Sequence, residues 1–145
     1  MRVLAVDWGM RRVGLAVCDP QETIASGLPT LTVQSLEEAL AGVAHVAVQV
    51  EAERLVVGLP LRMDGGRGEA AEAAQAFADQ LGARCALPVE TYDERLTSAL
   101  SERRLRETGV RTGHAKARVD MGAAVALLES WLQRQRVRRE RGEAP

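Results

Sequence analysis

Acidic residues stand beside apolar stretches at three places in the sequence. Asp7 ends an apolar run that begins at Val3, and Asp93 with Glu94 ends the last predicted strand, Pro88–Asp93. Asp120 precedes a stretch rich in alanine and leucine, where a carboxylate is costly unless a cation or a donor binds it. Carboxylates that converge from such positions would bind Mg²⁺ or Mn²⁺, which prefer oxygen ligands. Because neighbours on a regular strand point to opposite faces, only one of Asp93 and Glu94 is expected to join this cluster.

Basic residues lie close to these acids in the sequence. Arg12 follows the first acid after a glycine-containing turn, and Arg95 directly follows Glu94. The single lysine, Lys116, stands four positions before Asp120 and so lies on the same helical face. These cations would neutralise the phosphate groups of a substrate. An ordinary salt bridge within the helix would also explain Lys116.

A glycine-rich segment, Arg62–Gly68, follows an apolar run and carries Arg62 and Arg67. It lies where the carboxylates are expected to gather, which favours phosphate contact by both arginines over a plain surface connection. Arginine is abundant throughout, because Lys and Arg together number 19 and only one of them is lysine. A GC-rich genome would produce most of these arginines without any functional reason.

The composition limits the classes of protein that the chain can represent. Its 145 residues are enough for one domain, predicted over 1–137, with a charged and disordered tail over 138–145. The formal net charge of -1 gives no global attraction to nucleic acid or to a membrane. No run approaches the roughly 20 apolar residues that span a bilayer, and no signal-peptide pattern is present, so a cytoplasmic protein is expected. Cys18 and Cys85 are expected to be buried, reduced thiols.

Hydrophobic periodicity predicts nine elements. Strands are predicted over residues 2–7, 13–19, 30–33, 54–60 and 88–93. Helices are predicted over 35–53, 69–81, from 94 onward, and over 115–136, with a flexible break at 109–113. Ser35, with a carboxylate three positions later, is expected to cap the first helix. The order β-β-β-α-β-α-β-α-α predicts an α/β fold with a mixed five-stranded sheet and helices on both faces.

Four blocks of this sequence resemble the YqgF/RuvX family, which is described as Holliday junction resolvase-like or as a pre-16S ribosomal RNA nuclease. The blocks are Asp7-x-Gly9-x-x-Arg12-x-Gly14-x-Ala16, Val57–Gly65, Asp93–Ser98 and Lys116-x-x-x-Asp120-x-x-Ala123-Ala124. They occur in the family's order and spread over nearly the whole chain. The resemblance implies a ribonuclease H-like fold. It also implies that Asp7, Glu94 and Asp120 are the catalytic and metal-binding acids, which favours Glu94 over Asp93.

The same resemblance implies a chemistry and a substrate class. Two ions of Mg²⁺ or Mn²⁺ would be bound, with Asp7 between them. Five basic side chains would hold nucleic acid: Arg12, Arg62, Arg67, Arg95 and Lys116. The expected function is hydrolysis of phosphodiester bonds, in 5′-end processing of pre-16S ribosomal RNA or in Holliday junction resolution. The partner would be a ribosomal RNA precursor or branched DNA, and a symmetric four-way junction favours a homodimer.

Other functions stay open on the sequence alone. The Asp-x-Gly turn also resembles the phosphate loop of sugar-kinase and actin-like ATPases, which need two such domains. The main alternative is a non-catalytic, nucleic-acid-binding ribosome-assembly factor that retains the acidic site, and a purely structural domain is a third. No residue is recognisable as a reader of the 2′-hydroxyl group, so the sequence does not choose between RNA and DNA.

Overall fold

The computed structural model of the chain describes residues 1–97 and 114–142, and the side chains of 114–121 are outside this description. The strands are β1 (Val3–Trp8), β2 (Arg12–Cys18), β3 (Ala25–Thr32), β4 (Arg54–Leu59) and β5 (Val89–Asp93). The helices are α1 (Leu36–Gln49), α2 (Glu69–Cys85) and α3 (His114–Glu140), and a 3-10 turn covers Glu94–Leu96. Within the described ranges, no helix is both long and apolar enough to cross a membrane.

The five strands form one mixed sheet in the order β3-β2-β1-β4-β5. β2 is antiparallel to both β1 and β3, whereas β1, β4 and β5 run parallel to one another. The last residues of these parallel strands, Trp8, Leu59 and Asp93, therefore meet at one edge of the sheet, here called the carboxyl edge. Ligand sites of open α/β sheets lie at edges of this kind.

Helices cover both faces of the sheet. Leu4 and Val6 of β1 pack with the residues of α1 and α2 on one face. Val3 and Ala5, which alternate with them, pack against α3 residues such as Leu127 on the other face. A strand buried on both faces reads as one continuous apolar run, which is the pattern of β1 and β4. The predicted α/β fold, with a mixed five-stranded sheet and helices on both faces, is confirmed.

Capping of the first helix follows the sequence signal. The Ser35 hydroxyl accepts a hydrogen bond from the backbone N–H of Glu38 at 3.1 Å. The Glu38 carboxylate reaches back and accepts from the N–H of Gln34 at 3.2 Å. The helix ends at Gln49 instead of the predicted 53, and Glu51 then has a positive φ of 56°.

Two elements near the ends of the sheet are longer than predicted. β3 begins at Ala25 instead of 30 and includes Pro29, which an outer strand tolerates because part of its N–H groups pair with no other strand. α2 continues through Gly82 to Cys85 instead of stopping at 81. A Cβ on Gly82 would lie 2.8 Å from Cγ2 of Val89, so the glycine lets the helix pack closely on β5.

The last helix also continues past its predicted end at 136. Residues Arg138–Glu140 are helical, whereas the sequence placed them in a disordered tail. Arginine and glutamate are good helix formers. The chain leaves the helix two residues after Glu140, at Gly142, whose φ is +75° and whose N–H donates to the Arg139 carbonyl at 3.0 Å. The helix predicted from 94 begins as the 3-10 turn, and its remainder and the predicted break at 109–113 lie outside the described residues.

The two cysteines are free thiols on opposite faces of the sheet. Cys18 is buried in the core on the α3 side, and Cys85 is half-buried against the core on the α1 and α2 side. Burial raises the pKa of both thiols. Because the sheet separates them, they cannot form a disulfide within this fold.

Candidate active site

Asp7 is half-buried near the end of β1 and pairs in register with Gly14 of β2. Since Val3 and Ala5 face α3, strand alternation puts Asp7 on the α3 face as well. The next residue, Trp8, faces the other way and stacks on Phe77 of α2 with the ring centroids 5.1 Å apart. This stack and the β-ladder fix the strand end, so the Asp7 backbone is rigidly placed at the carboxyl edge.

The turn after β1 sets the position of Arg12. The N–H of Gly9 donates to the Arg12 carbonyl at 2.9 Å. A Cβ on Gly9 would lie 2.9 Å from that same oxygen, so the turn requires glycine. Arg12 is half-buried at the first position of β2, beside the strand end that carries Asp7.

Glu94 is the buried acid of the site, with 7% of its surface exposed. It follows β5 directly, and its side chain lies over β4 at Gly58. A Cβ on Gly58 would lie only 2.6 Å from Oε1 of Glu94 and 3.2 Å from its Cγ. The Glu94 carboxyl group therefore occupies the space that a side chain at position 58 would fill.

Strand register brings Glu94 to the side of Asp7. Val6 pairs with Val57 in the parallel ladder, so the next positions along these strands, Asp7 and Gly58, are neighbours. Both positions are on the α3 face, because Ala5 and Val56 belong to the core on that side. The structure thus brings the Glu94 carboxylate over the strand next to Asp7.

Asp93 has a different role from its neighbour. Its Oδ1 accepts the backbone N–H of Arg95 at 2.9 Å, which caps the 3-10 turn. Its Oδ2 forms an ion pair with Nη2 of Arg95 at 2.7 Å. The hydrogen-bonding Arg95 guanidinium holds the pKa of the Asp93 carboxyl below its usual value. Asp93 therefore binds a cation from its own chain, while Glu94 turns back over the sheet.

Asp120 and Lys116 lie in the first two turns of α3, and their side chains are outside the described residues. α3 packs on the face of the sheet that carries Asp7. Among the described side chains, no group of three Asp, Glu, His or Cys residues is placed to hold a metal ion. The role of Asp120 as a third ligand stays a prediction.

The loop between β4 and α2 reaches the carboxyl edge through Arg95. Nη1 of Arg95 lies 3.5 Å from the Met63 carbonyl, and Gly65, with a φ of 86°, leaves room beside that guanidinium. Arg62 pairs with Asp64 inside the loop at 3.6 Å. The arginines at 62 and 95 thus lie near the strand ends.

Arg67, in contrast, turns towards α2. Its Nε donates to Glu72 at 2.9 Å and its Nη2 to Gln75 at 3.2 Å. Both acceptors lie on the exposed side of the helix. The structure therefore separates Arg67 from the other predicted phosphate contacts in its present conformation.

Gly58 is a functional candidate that sequence reasoning did not single out. An isolated glycine inside a buried apolar strand signals close approach by another group, and Arg54–Leu59 has this pattern. The motif alone could not identify Glu94 as that group, because the contact depends on how β4 and β5 pair.

The described donors fit Mg²⁺ or Mn²⁺. Asp7 and Glu94 offer carboxylate oxygens, which are the ligands that these ions prefer. The missing side chain at Gly58 leaves a cradle in which the Glu94 carboxylate is held against the strand next to Asp7. Such a rigid pair of carboxylates is suited to bind one divalent ion with help from a third group.

The class of fold is that of the ribonuclease H-like resolvases. The structure superposes on Thermus thermophilus RuvC in complex with Holliday junction substrate with a TM-score of 0.58, at 18% identity over 93% of this chain and 96% of that one. The Holliday junction resolvase of fowlpox virus gives a TM-score of 0.52 at 12% identity, over 92% and 99% of the two chains. At such low identities, the likeness shows the fold alone.

Closer relatives define the family. A protein of Anaeromyxobacter dehalogenans named "Putative pre-16S rRNA nuclease" is 45% identical over 134 residues, 92% of this chain and 98% of the relative. A protein of the same name from Chloroflexus aurantiacus is 41% identical over 92% of this chain and 88% of the relative. The profile described as "RuvX: Holliday junction resolvase" matches residues 1–134. The chain belongs to the RuvX family, which confirms the resemblance seen in the sequence.

Proposed function

We propose that the protein is a divalent-metal-dependent nuclease that hydrolyses phosphodiester bonds in structured nucleic acid. Its expected task is 5′-end processing of pre-16S ribosomal RNA or resolution of Holliday junctions. One observation carries the proposal: the buried Glu94 carboxylate lies over Gly58, beside the strand that carries Asp7. The names of the relatives and of the family support the same class of reaction.

In this proposal Asp7, Glu94 and Asp120 hold Mg²⁺ or Mn²⁺. When bound, such ions would polarise a phosphoryl oxygen, activate a water as the nucleophile and stabilise the charge on the leaving oxygen. The protein contributes placement. Asp7 is fixed by its strand, and Glu94 is fixed by burial against Gly58, so neither carboxylate has to be ordered when the substrate arrives.

The basic side chains would bind the phosphate backbone next to this site. Arg12 starts the strand beside Asp7, and Lys116 lies in the same helix as Asp120. Arg95 is already paired with Asp93, but 37% of its side chain is exposed. An exposed ion pair contributes little net free energy, so Arg95 can exchange Asp93 for a substrate phosphate at small cost. Arg62 would contact a phosphate further out, whereas Arg67 would first have to leave Glu72 and Gln75.

Cleavage of two labelled substrates tests the proposal. One is a four-way DNA junction and the other a 5′-extended ribosomal RNA precursor, each with Mg²⁺, with Mn²⁺ and with a chelator. We expect the native protein to cut at least one of them only when metal is present, and Asp7→Asn to abolish the cutting. Asp79→Asn is the matched control, because this exposed carboxylate on α2 bonds only to Gln75 among the described residues and should leave cleavage unchanged.

Two results would contradict the nuclease. Cutting by Asp7→Asn at the native rate would remove the carboxylate from the chemistry. Salt-sensitive binding of either substrate, with no cutting under any metal condition, would favour the ribosome-assembly factor that keeps an idle acidic site.

A further inference from the structure

A groove of about 560 Å³ runs between β5, the outer strand of the sheet, and the C-terminal half of α3. One wall carries Arg134, Arg138 and Arg141, which define what we call the arginine groove. The opposite wall is formed by β5 residues, including Tyr92, whose hydroxyl is 2.8 Å from that of Ser130. Neither Asp7 nor Glu94 lines this groove, so it is a distinct surface from the candidate active site.

The three arginines present their charge together. Positions 134, 138 and 141 are four and three residues apart, so they lie on one face of the helix, and all three are exposed. Across the described part of the chain, none of them lies within 4 Å of a carboxylate oxygen. The carboxylate of the groove, Glu90, is paired with Arg54 at 3.5 Å. The groove is therefore strongly cationic.

Stabilisation of the helix end by positive charge does not account for all three arginines of the groove. Cations near a helix C-terminus are favoured by the helix dipole, but that effect falls off within the last turn. Arg138 and Arg141 lie close enough to the C-terminus of the helix for this explanation. Arg134 does not, because it lies more than one turn before Arg138. By contrast, Arg139 points elsewhere and pairs with Glu22 at 2.7 Å. Arg136 lines the neighbouring groove between α3 and β3, whereas Arg134, Arg138 and Arg141 share the groove beside β5.

The groove connects to the candidate active site at its Leu96 end. Leu96 lines the groove only two positions after Glu94. From Arg134 the arginines continue away from the carboxyl edge for about 10 Å along the helix axis, at 1.5 Å per residue. One strand of a duplex carries a phosphate about every 3.4 Å of axis, so this length matches about three phosphates.

We propose that the arginine groove binds the sugar–phosphate backbone of the nucleic-acid substrate on one side of the bond that is cut. The inference rests on the proposed function, because it assigns the surface over which the substrate of that site extends. A short substrate would contact the site alone, whereas a longer one would also occupy the groove.

Equilibrium binding of matched short and long substrates tests this assignment. For both RNA and DNA, two long substrates are made, and each extends about 10 base pairs beyond the site on one of its two sides. Binding is measured with Ca²⁺ between about 50 and 200 mM salt, using the native protein and Arg138→Gln/Arg141→Gln. Each phosphate contact in B-DNA adds about 0.9 to the slope of log K against log salt, so we expect the double variant to lose a slope of about 1.8 on the long DNA and nothing on the short one.

Two further variants control for charge and for folding. Arg139→Gln removes one charge from the same helix, but Arg139 is outside the groove and pairs with Glu22, so this variant should leave the slope unchanged. Arg138→Lys/Arg141→Lys retains the charge and should keep most of the slope. All the substituted side chains are exposed, so thermal unfolding should be unaffected.

The outcomes separate this inference from the proposed function. Equal slopes for the native protein and the double variant, with metal-dependent cutting intact, would overturn the arginine groove and leave the nuclease. Loss of slope in the double variant, with no cutting by any form, would uphold the groove and overturn the nuclease. Absence of any salt-sensitive binding to either substrate would overturn both, and the groove would then fit an acidic protein partner.

Discussion

The carboxyl edge of the sheet and the β4–α2 loop lie side by side but hold their charged residues in different ways. At the edge, Glu94 is buried and supported from below by the backbone of Gly58. In the loop, Arg62 and Asp64 pair with each other while 62% and 72% of their side chains remain exposed. Burial of a carboxylate is costly, whereas an exposed ion pair is nearly neutral in free energy. The edge is therefore built to place an acid, and the loop can rearrange around a ligand.

Neutralising the buried acid should have the largest effect on activity. We expect Glu94→Gln to lower the cleavage rate at least about a hundredfold, which corresponds to about 3 kcal/mol of lost transition-state stabilisation. The amide has the same shape and so keeps the packing on Gly58. Single-turnover rates would measure the loss. Glu37→Gln, which removes an exposed carboxylate of α1 that pairs with Arg84, should cut at the native rate.

Displacing the Glu94 carboxylate without changing its chemistry should have the next largest effect on the cleavage rate. In Gly58→Ala the new methyl group would lie 2.6 Å from Oε1 of Glu94, so the carboxyl group has to move. We expect a loss of about tenfold or more in cleavage, because even small misplacement of a catalytic group is expensive. Weaker binding of Mn²⁺, followed by titration calorimetry, should accompany it.

Gly42→Ala is the matched control for crowding. Its methyl group would lie 2.9 Å from Cδ1 of Leu31, a comparable clash against the end of a flexible side chain. Leu31 belongs to the outer strand β3 and packs on the α1 and α2 face of the sheet, opposite the face of Asp7 and Gly58. We expect activity to be unchanged in this variant. Equal losses in both variants would mean that general strain, and not the position of Glu94, reduces the rate.

Much of the carboxyl edge follows from local sequence patterns. Asp7 and Asp93 end predicted strands, and the parallel pairing of both strands with β4 brings them to one edge. The contact between Glu94 and Gly58 does not follow, because it depends on the register between two strands far apart in sequence. Register is decided by packing of the whole sheet, which a single sequence does not reveal.

The helix ends and the loop were harder to predict for other physical reasons. A glycine after residue 81 favours the end of a helix, but α2 continues through Gly82 because the glycine lets it pack closely on β5. Arg67 lies in the same glycine-rich segment as Arg62, yet it pairs with Glu72 because α2 begins immediately after the loop. Short-range patterns do not distinguish a cation that faces the site from one that faces a helix.

Removing an arginine that joins the two regions should weaken substrate binding more than removing one that does not. Arg95 pairs with Asp93 at the edge and reaches the Met63 carbonyl in the loop. We expect Arg95→Gln to raise KM several-fold, roughly 1 kcal/mol, with a smaller change in kcat. Arg67→Gln should change KM less than about twofold, since its present partners belong to α2. An equal rise in both would show that the loop rearranges to bring Arg67 to the substrate.

The smallest expected effect concerns the pH dependence of stability at the edge. Arg95 lowers the pKa of Asp93, so the pair should stabilise the fold fully above the unfolded value near 4 and lose that contribution as the pH falls through the lower folded value. Asp93→Asn keeps an acceptor for the backbone N–H of Arg95 but removes the charge. We expect it to unfold a few degrees below the native protein at about pH 7, a difference of less than about 1 kcal/mol. That difference should shrink towards about pH 2.

Asp19, whose pKa is lowered to about 2 by hydrogen bonds from Thr23 and Ile24, is present in both proteins and cancels in the comparison. A difference in melting temperature that is constant with pH would mean that Asp93 stabilises the edge by shape and hydrogen bonding, so that its charge is free for a substrate-bound cation.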